Sequence, residues 1–200
     1  WMNYTIGYIT NVSMKQKADA LPYLYKASQA GCETKEYSEV YRLIGAWYLD
    51  EFIRLDATRM EKIKAAGDKD TQETLALLDL ERGYSERAMD AYARAYKTAS
   101  QSKTASQSYK DALLTKLKEV YGVRYDDDMS KFDPYLKQAG TTAFVDPATP
   151  GTPIKDAIPP PTADTKPKTD SKPKAAPKAK TAPKAKKVKA PSRKQPRKAR

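Results

Sequence analysis

The chain has 200 residues and a formal net charge of +12, and all of that charge sits at one end: residues 145–200 hold 16 Lys/Arg against 4 Asp/Glu, while residues 1–144 hold 21 of each. Twelve of the 14 prolines follow residue 144, and every Tyr, Phe and Trp lies at or before Phe144, so a neutral aromatic-rich body carries a basic tail. The absence of His removes Ser–His and Cys–His catalysis and His–Zn sites, the single Cys32 makes no internal disulfide or multi-Cys metal site, and no stretch approaches the ~18 apolar residues needed to span a bilayer.

Trp1–Met14 carries no charged side chain and is broken by Asn3, Thr5, Asn11 and Ser13. Without a basic leader it does not read as a signal peptide. The helix-like pattern is already under way at Trp1, which predicts a lost N-terminal portion and leaves cytoplasm and periplasm both open as compartments. Lys17–Gln29 reads as the next helix, with Pro22 calling for a start near Asp19 or a kink. Between Lys35 and Ala66 the apolar positions Tyr37, Tyr41, Ile44, Tyr48, Phe52 and Leu55 are spaced by three and four, one face of a long helix with Thr34 as N-cap and Gly67 just past its end. Asp70-x-x-Glu73 has capping-box spacing and predicts the start of the next helix, which carries Leu75, Leu78, Ala88, Tyr92, Ala95 and Ala99 with a break at Gly83. A further helix carries Tyr109, Leu113, Leu117 and Val120–Tyr121 and is expected to end at Gly122. A short last one is framed by Asp133 as cap, Pro134 at its first position and Gly140 beyond it. No segment alternates with period two long enough for a sheet, so the expected class is all-α.

Two small-residue patterns recur. Tyr41-x-x-Ile44-Gly45-x-x-Tyr48 has its centre repeated by Ile6-Gly7, and Ala20-x-x-x-Leu24-x-x-Ala27 matches Ala88-x-x-x-Tyr92-x-x-Ala95. Small residues let two helices approach closely while a large side chain fills the hole beside them. In these patterns the chain resembles the tetratricopeptide repeat family, as a bacterial-type member with a Lys/Ala/Pro-rich tail. Gly83-Tyr84-Ser85-Glu86-Arg87-Ala88 looks like the turn into the family's second helix, and Leu75-Ala76 occupies the place of the first helix's aliphatic–small pair. The resemblance therefore implies a repeat of roughly 34 residues over Lys69–Ser102, a helix pair over Trp1–Gly31, and a degenerate or capping repeat at 103–140. The middle departs from the pattern, because Glu61 and Lys64 stand where the family has an apolar residue and Ala. An unusually long helix is expected there.

The resemblance implies antiparallel helical hairpins of α-solenoid type over residues 1–140. It also implies a protein-interaction scaffold whose first helices line a groove for a protein or peptide partner. Its inward positions would be Tyr4, Tyr8, Asn11, Arg42, Ala46 and Asp50. Asn11 and Arg42 alone make a weak clamp for a peptide carboxylate.

Other chemistry is sparse. Asp126-Asp127-Asp128 lacks the alternating ligands, the Gly and the closing Glu of a calcium loop, and reads as a cap for the following helix. Asp50/Arg54 and Asp90/Arg94 read as helix-face pairs at i, i+4. No phosphate loop or nucleophile elbow occurs. Cys32 reads as a spectator. Neither an enzyme nor a cofactor or metal is expected.

Residues 141–164 read as a proline-rich linker that stays extended and does not pack. From Thr165 to Arg200 there are 15 basic residues against Asp170, with Ala-Pro-Lys-Ala-Lys at 176–180 and again at 182–186. So few apolar side chains cannot offset chain entropy, and the segment is expected to be disordered. Its composition resembles the tails of linker histones and of some bacterial histone-like proteins. Three readings stand for it: nucleic acid, another anionic surface such as phospholipid, or an inert solubilising tail. Binding would run through Lys172, Lys174, Lys178, Lys180, Lys184, Lys186, Lys187, Lys189, Arg193, Lys194, Arg197, Lys198 and Arg200. The expected function is a non-enzymatic helical scaffold whose tail is an electrostatic anchor. The alternative is a polyanion-binding protein acting through residues 165–200.

Overall fold

The computed structural model describes residues 1–30 and 37–156. Cys32, Thr34 and the tail residues named above lie outside them. The described residues form α-helices and no strand: α1 (Met2–Tyr8), continued by a π-helical turn (Ile9–Ser13), then α2 (Lys17–Gln29), α3 (Ser38–Ala65), α4 (Gln72–Gln101), α5 (Gln107–Tyr125) and α6 (Phe132–Gln138). The all-α class is as expected, and so is one long helix in the middle.

Side-chain partners fix the directions. Arg59 Nε reaches Glu81 Oε1 at 2.7 Å and Lys62 Nζ reaches Glu73 Oε1 at 2.9 Å, so α3 and α4 are antiparallel and form the most extensive pair. Tyr4 stacks on Tyr37 at 5.6 Å, and Lys17, just beyond the π-helical turn, bonds Asp50 at 2.5 Å. The α1 segment therefore runs parallel to α3, with α2 returning antiparallel between them. Tyr109 Oη donates to Glu39 Oε2 at 3.0 Å, which aligns the start of α5 with that of α3.

The small-residue patterns are buried apart from Ile6, which is exposed, and Tyr41, which is half-buried. Ala20, Leu24, Ala27, Ile44, Tyr48, Ala88, Tyr92 and Ala95 are all 5% exposed or less. The two patterns also meet. A Cβ on Gly7 would lie 2.9 Å from the Leu24 side chain, and one on Gly45 would lie 3.1 Å from the Tyr92 ring. Each hairpin thus places the glycine of its first helix under the large apolar residue of its second.

Several local expectations are corrected. Helix α4 is unbroken across Gly83, so the turn at Gly83–Ala88 and the helix pair expected over Lys69–Ser102 are absent. Gly83 serves another purpose: a Cβ there would lie 2.1 Å from the Thr152 carbonyl oxygen. The capping box is Thr71/Thr74, one residue later than expected. Each threonine hydroxyl accepts from the other's backbone N–H, at 3.2 and 2.8 Å, and Asp70 accepts from the Thr74 hydroxyl. Helix α2 starts at Lys17, so Pro22 lies well inside it. Pro22 and Ala18 are exposed, and water can take the Ala18 carbonyl that Pro22 leaves without an N–H. Helix α5 runs past Gly122 to Tyr125 and ends where Asp126 and Asp127 take positive φ, so these aspartates close α5 instead of capping the next helix. Asp128 accepts from Ser130 N at 2.9 Å, while the N-cap of α6 is Lys131, which moves Asp133 and Pro134 inside the helix. Gly67 does end α3: Gly67 N bonds Lys64 O and Asp68 N bonds Ile63 O, a Schellman closure at φ +73.

The largest correction concerns the linker. Its described part, 141–156, is a strap bound along α4. Arg94 bonds Thr142 O at 2.7 Å, Arg87 bonds Thr149 O and Pro150 O at 2.6 and 2.8 Å, and Ile154 N donates to Asp79 O at 2.8 Å. Arg124 grips both oxygens of Asp156, and Phe144 and Pro147 are buried. Proline density keeps the segment extended, but an extended backbone offers carbonyls that arginines on a helix can bind.

Two outcomes follow for thermal and proteolytic measurements. Gly45→Leu forces a side chain into the Tyr92 ring and should destabilise the body by about 2–3 kcal/mol, read as a lower melting temperature. Gly83→Ala should raise intrinsic helix propensity by ~1 kcal/mol yet collide with the strap. Limited proteolysis should then cut within 141–156 while helical circular dichroism is retained; an uncut strap would refute the close approach.

Candidate interaction surface

Tyr4 stacks on Tyr37, just before α3, and lies within electrostatic reach of Glu39 and Arg42, while Arg42, Ala46 and Asp50 form a stripe at spacing four along α3. Tyr4 and Tyr8 meet at 5.9 Å between ring centroids, and Trp1 packs edge-on against both Tyr4 and Tyr37. Of the six expected groove positions, Tyr4 is brought near Arg42. Asn11 is turned inward: it is 6% exposed in the π-helical turn, and its Nδ2 has no hydrogen-bond partner.

The polar members are engaged with neighbours. Arg42 binds both oxygens of Glu39, at 2.7 and 2.5 Å, and Glu39 also accepts from Tyr109. Burial works to raise the Glu39 carboxyl pKa, but the Arg42 and Tyr109 hydrogen bonds outweigh it and hold the group below the usual carboxylate range. Burial and the Glu39 charge raise the Tyr4 phenol. Asp50 pairs with Lys17, not with Arg54, which binds Glu51 at 2.8 Å; the expected Asp90–Arg94 pair forms at 2.9 Å. With Arg42 held by Glu39, the arrangement is no carboxylate clamp.

Around these groups the N-terminal segment leaves apolar side chains uncovered. Met2 of α1, Ile9 and Val12 of the π-helical turn, and Trp1 and Met14 flanking them are 77, 47, 44, 64 and 56% exposed. No charged side chain interrupts Trp1–Met14. Exposed apolar patches mark interaction sites.

A second surface had no signal in the sequence, because its parts are far apart in the chain. A cavity of about 360 Å³ lies between α4 and the start of the strap, lined by Glu86, Arg87 and Asp90 of α4, by Tyr48 and Tyr135, and by Gln138–Val145. The buried hydroxyls of Tyr48 and Tyr135 have no hydrogen-bond partner. Burial pushes the Tyr48 phenol up to about 12, with nearby Arg87 working in the opposite direction.

Among the described residues no cluster of three His, Cys, Asp or Glu side chains is placed to hold a metal ion, and no helix is long and apolar enough to cross a membrane.

The depressed Glu39 pKa has a signed consequence. Its contribution to stability is present above the unfolded carboxylate value and is lost as pH falls through the folded one. Arg42→Ala should cost under about 1 kcal/mol at pH 7, because the pair is partly exposed, and the difference from the unmodified chain should vanish in acid. Denaturant melts at pH 7 and pH 3 check this.

No family model matches the chain, and no curated protein or solved structure shows significant similarity to it.

Proposed function

We propose that the helical body is a non-enzymatic protein-interaction scaffold of stacked helix pairs, with the basic tail as an electrostatic anchor. The observation that carries this reading is the uncharged Trp1–Met14 segment with its exposed apolar side chains, beside the Tyr4–Tyr8–Tyr37 aromatic group. The tetratricopeptide resemblance supports it through the repeated Gly7–Leu24 and Gly45–Tyr92 contacts. The repeat is then α1–α2 followed by an elongated α3–α4 pair. The groove takes a partner protein's apolar helix or peptide, and the positions bearing on it are Tyr4, Tyr8, Arg42, Ala46 and Asp50.

A second reading, polyanion binding through residues 165–200, is favoured by the segregation of 15 basic residues there against one acid. Its mechanism is counterion release, so binding would weaken steeply with salt and ignore sequence.

The two separate in a capture experiment from host lysate with and without nuclease, using the full chain, a chain ending at Asp156, and full-chain Tyr8→Ala/Ile9→Ser. The scaffold reading expects one protein to be retained by the first two, at least tenfold less by the α1 variant, and with little salt dependence. Capture that needs the tail and disappears with nuclease or 0.5 M salt would sink it in favour of the polyanion reading.

A further inference from the structure

The strap lies in its groove as a peptide ligand would. Its hold is partly blind to sequence, because Arg87 and Arg94 bond only its carbonyl oxygens, which any extended chain presents. Selectivity comes from two buried anchors spaced by three, Phe144 and Pro147, and from the Asp156 carboxylate, held by Arg124 at 2.8 and 2.9 Å and by Arg82 at 3.2 Å. Between the anchors the strap is largely exposed, with Val145 46% exposed.

The fit is incomplete. The Tyr135 side chain lines the 360 Å³ cavity under the strap and its buried hydroxyl bonds nothing, while Tyr48, 1% exposed, lines the same cavity with the Arg87 guanidinium over its ring. A buried hydroxyl left unpaired is a cost that the strap leaves standing, and a ligand whose side chain reaches the Tyr135 hydroxyl would remove it. The charges around the cavity are arranged against a charged ligand: Asp90 is paired with Arg94 and Glu86 with Arg124, while Arg87 is held by two carbonyls. The cavity is of a size that takes one side chain or more.

We infer that the α4 face under the strap is a recognition groove for an extended peptide in trans, and that residues 141–156 are its resident, autoinhibitory occupant. The fitting peptide carries an aromatic residue, a proline three positions later, a neutral hydroxyl or amide side chain between them to meet Tyr135, and an acid near its far end. This groove is distinct from the α1–α3 surface and does not depend on the reading given to that surface.

The test uses the full chain and a fluorescent peptide of the strap's own sequence, Thr141–Asp156. In Phe144→Ser/Asp156→Ala the resident strap is weakened while the groove is intact, and the peptide should bind at least tenfold more tightly than to the unmodified chain. Adding Arg87→Ala should remove that gain, and a peptide lacking the phenylalanine should not bind. Replacing Val145 in the peptide by Asn should tighten binding further. The inference is overturned if the double variant keeps its helical circular dichroism yet binds the peptide no better than the unmodified chain, or if a scrambled peptide binds equally. Should the double variant lose helicity, hydrogen exchange on the unmodified chain decides the matter. Excess peptide must deprotect the Ile154 amide, which donates to Asp79, and unchanged protection counts against the groove.

Discussion

The closeness of paired helices at two glycines is the constraint on which the remaining structure depends. Gly7 under Leu24 and Gly45 under Tyr92 let backbones approach where a single methyl group would already crowd the neighbour. Dense packing at these points sets the interaxial distance, and that distance decides what lies alongside. With α3 and α4 drawn together, Ile44, Tyr48, Ala88, Met89 and Ala95 close into a core with almost no exposure. The α1–α2 pair uses the same device and therefore stacks in the same sense, which brings α1 parallel to α3.

How far the sequence revealed this depends on the range of the interaction. Helix periodicity, the long α3 and its Gly67 end are local, and each is readable from residues a few positions apart. The small-residue patterns were also legible, although which glycine meets which large residue emerges only in the folded chain. Gly83 misled because a glycine inside a helical pattern reads as a breaker. Its reason is the Thr152 carbonyl, almost 70 positions away and invisible to any local window. The strap was misread for a related reason. Proline content does predict an extended backbone, but nothing in it announces that Arg87 and Arg94 are waiting on a helix to receive one. Of the groove positions read from the repeat-like arrangement, Asn11 is turned inward by the π-helical turn, and a register shift of that kind has no sequence signature here.

The electrostatics divide the molecule into two kinds of contact. On the α3 side, acids and bases are close in sequence and lock each other, as Glu39 with Arg42 and Asp56 with Arg59. On the α4 side there are local pairs too, Arg82 with Asp79 and Arg94 with Asp90, but Arg87 and Arg94 also reach across long sequence separations to main-chain oxygens. Arg59–Glu81 and Lys62–Glu73 join α3 to α4, and burial raises the pKa of the nearly buried Glu81 carboxyl even with the guanidinium bound to it. A body of zero net charge is thereby assembled without a large field of either sign, and the basic excess is left to the tail.

Binding a segment by its carbonyls has a consequence for how that segment can vary. Thr142 and Pro150 contribute only backbone oxygens to their arginines, so their side chains are free to drift, whereas the Thr149 hydroxyl also donates to Asp146 O. Phe144, Pro147 and Gly151 are buried, and their separations of three and four residues act as a ruler laid against the turns of α4. A substitution between the marks leaves the ruler intact. A single inserted or deleted residue shifts every later mark by about 3.3 Å and misplaces all of them at once. Among variants of this chain, the strap should therefore be variable in letters and fixed in length.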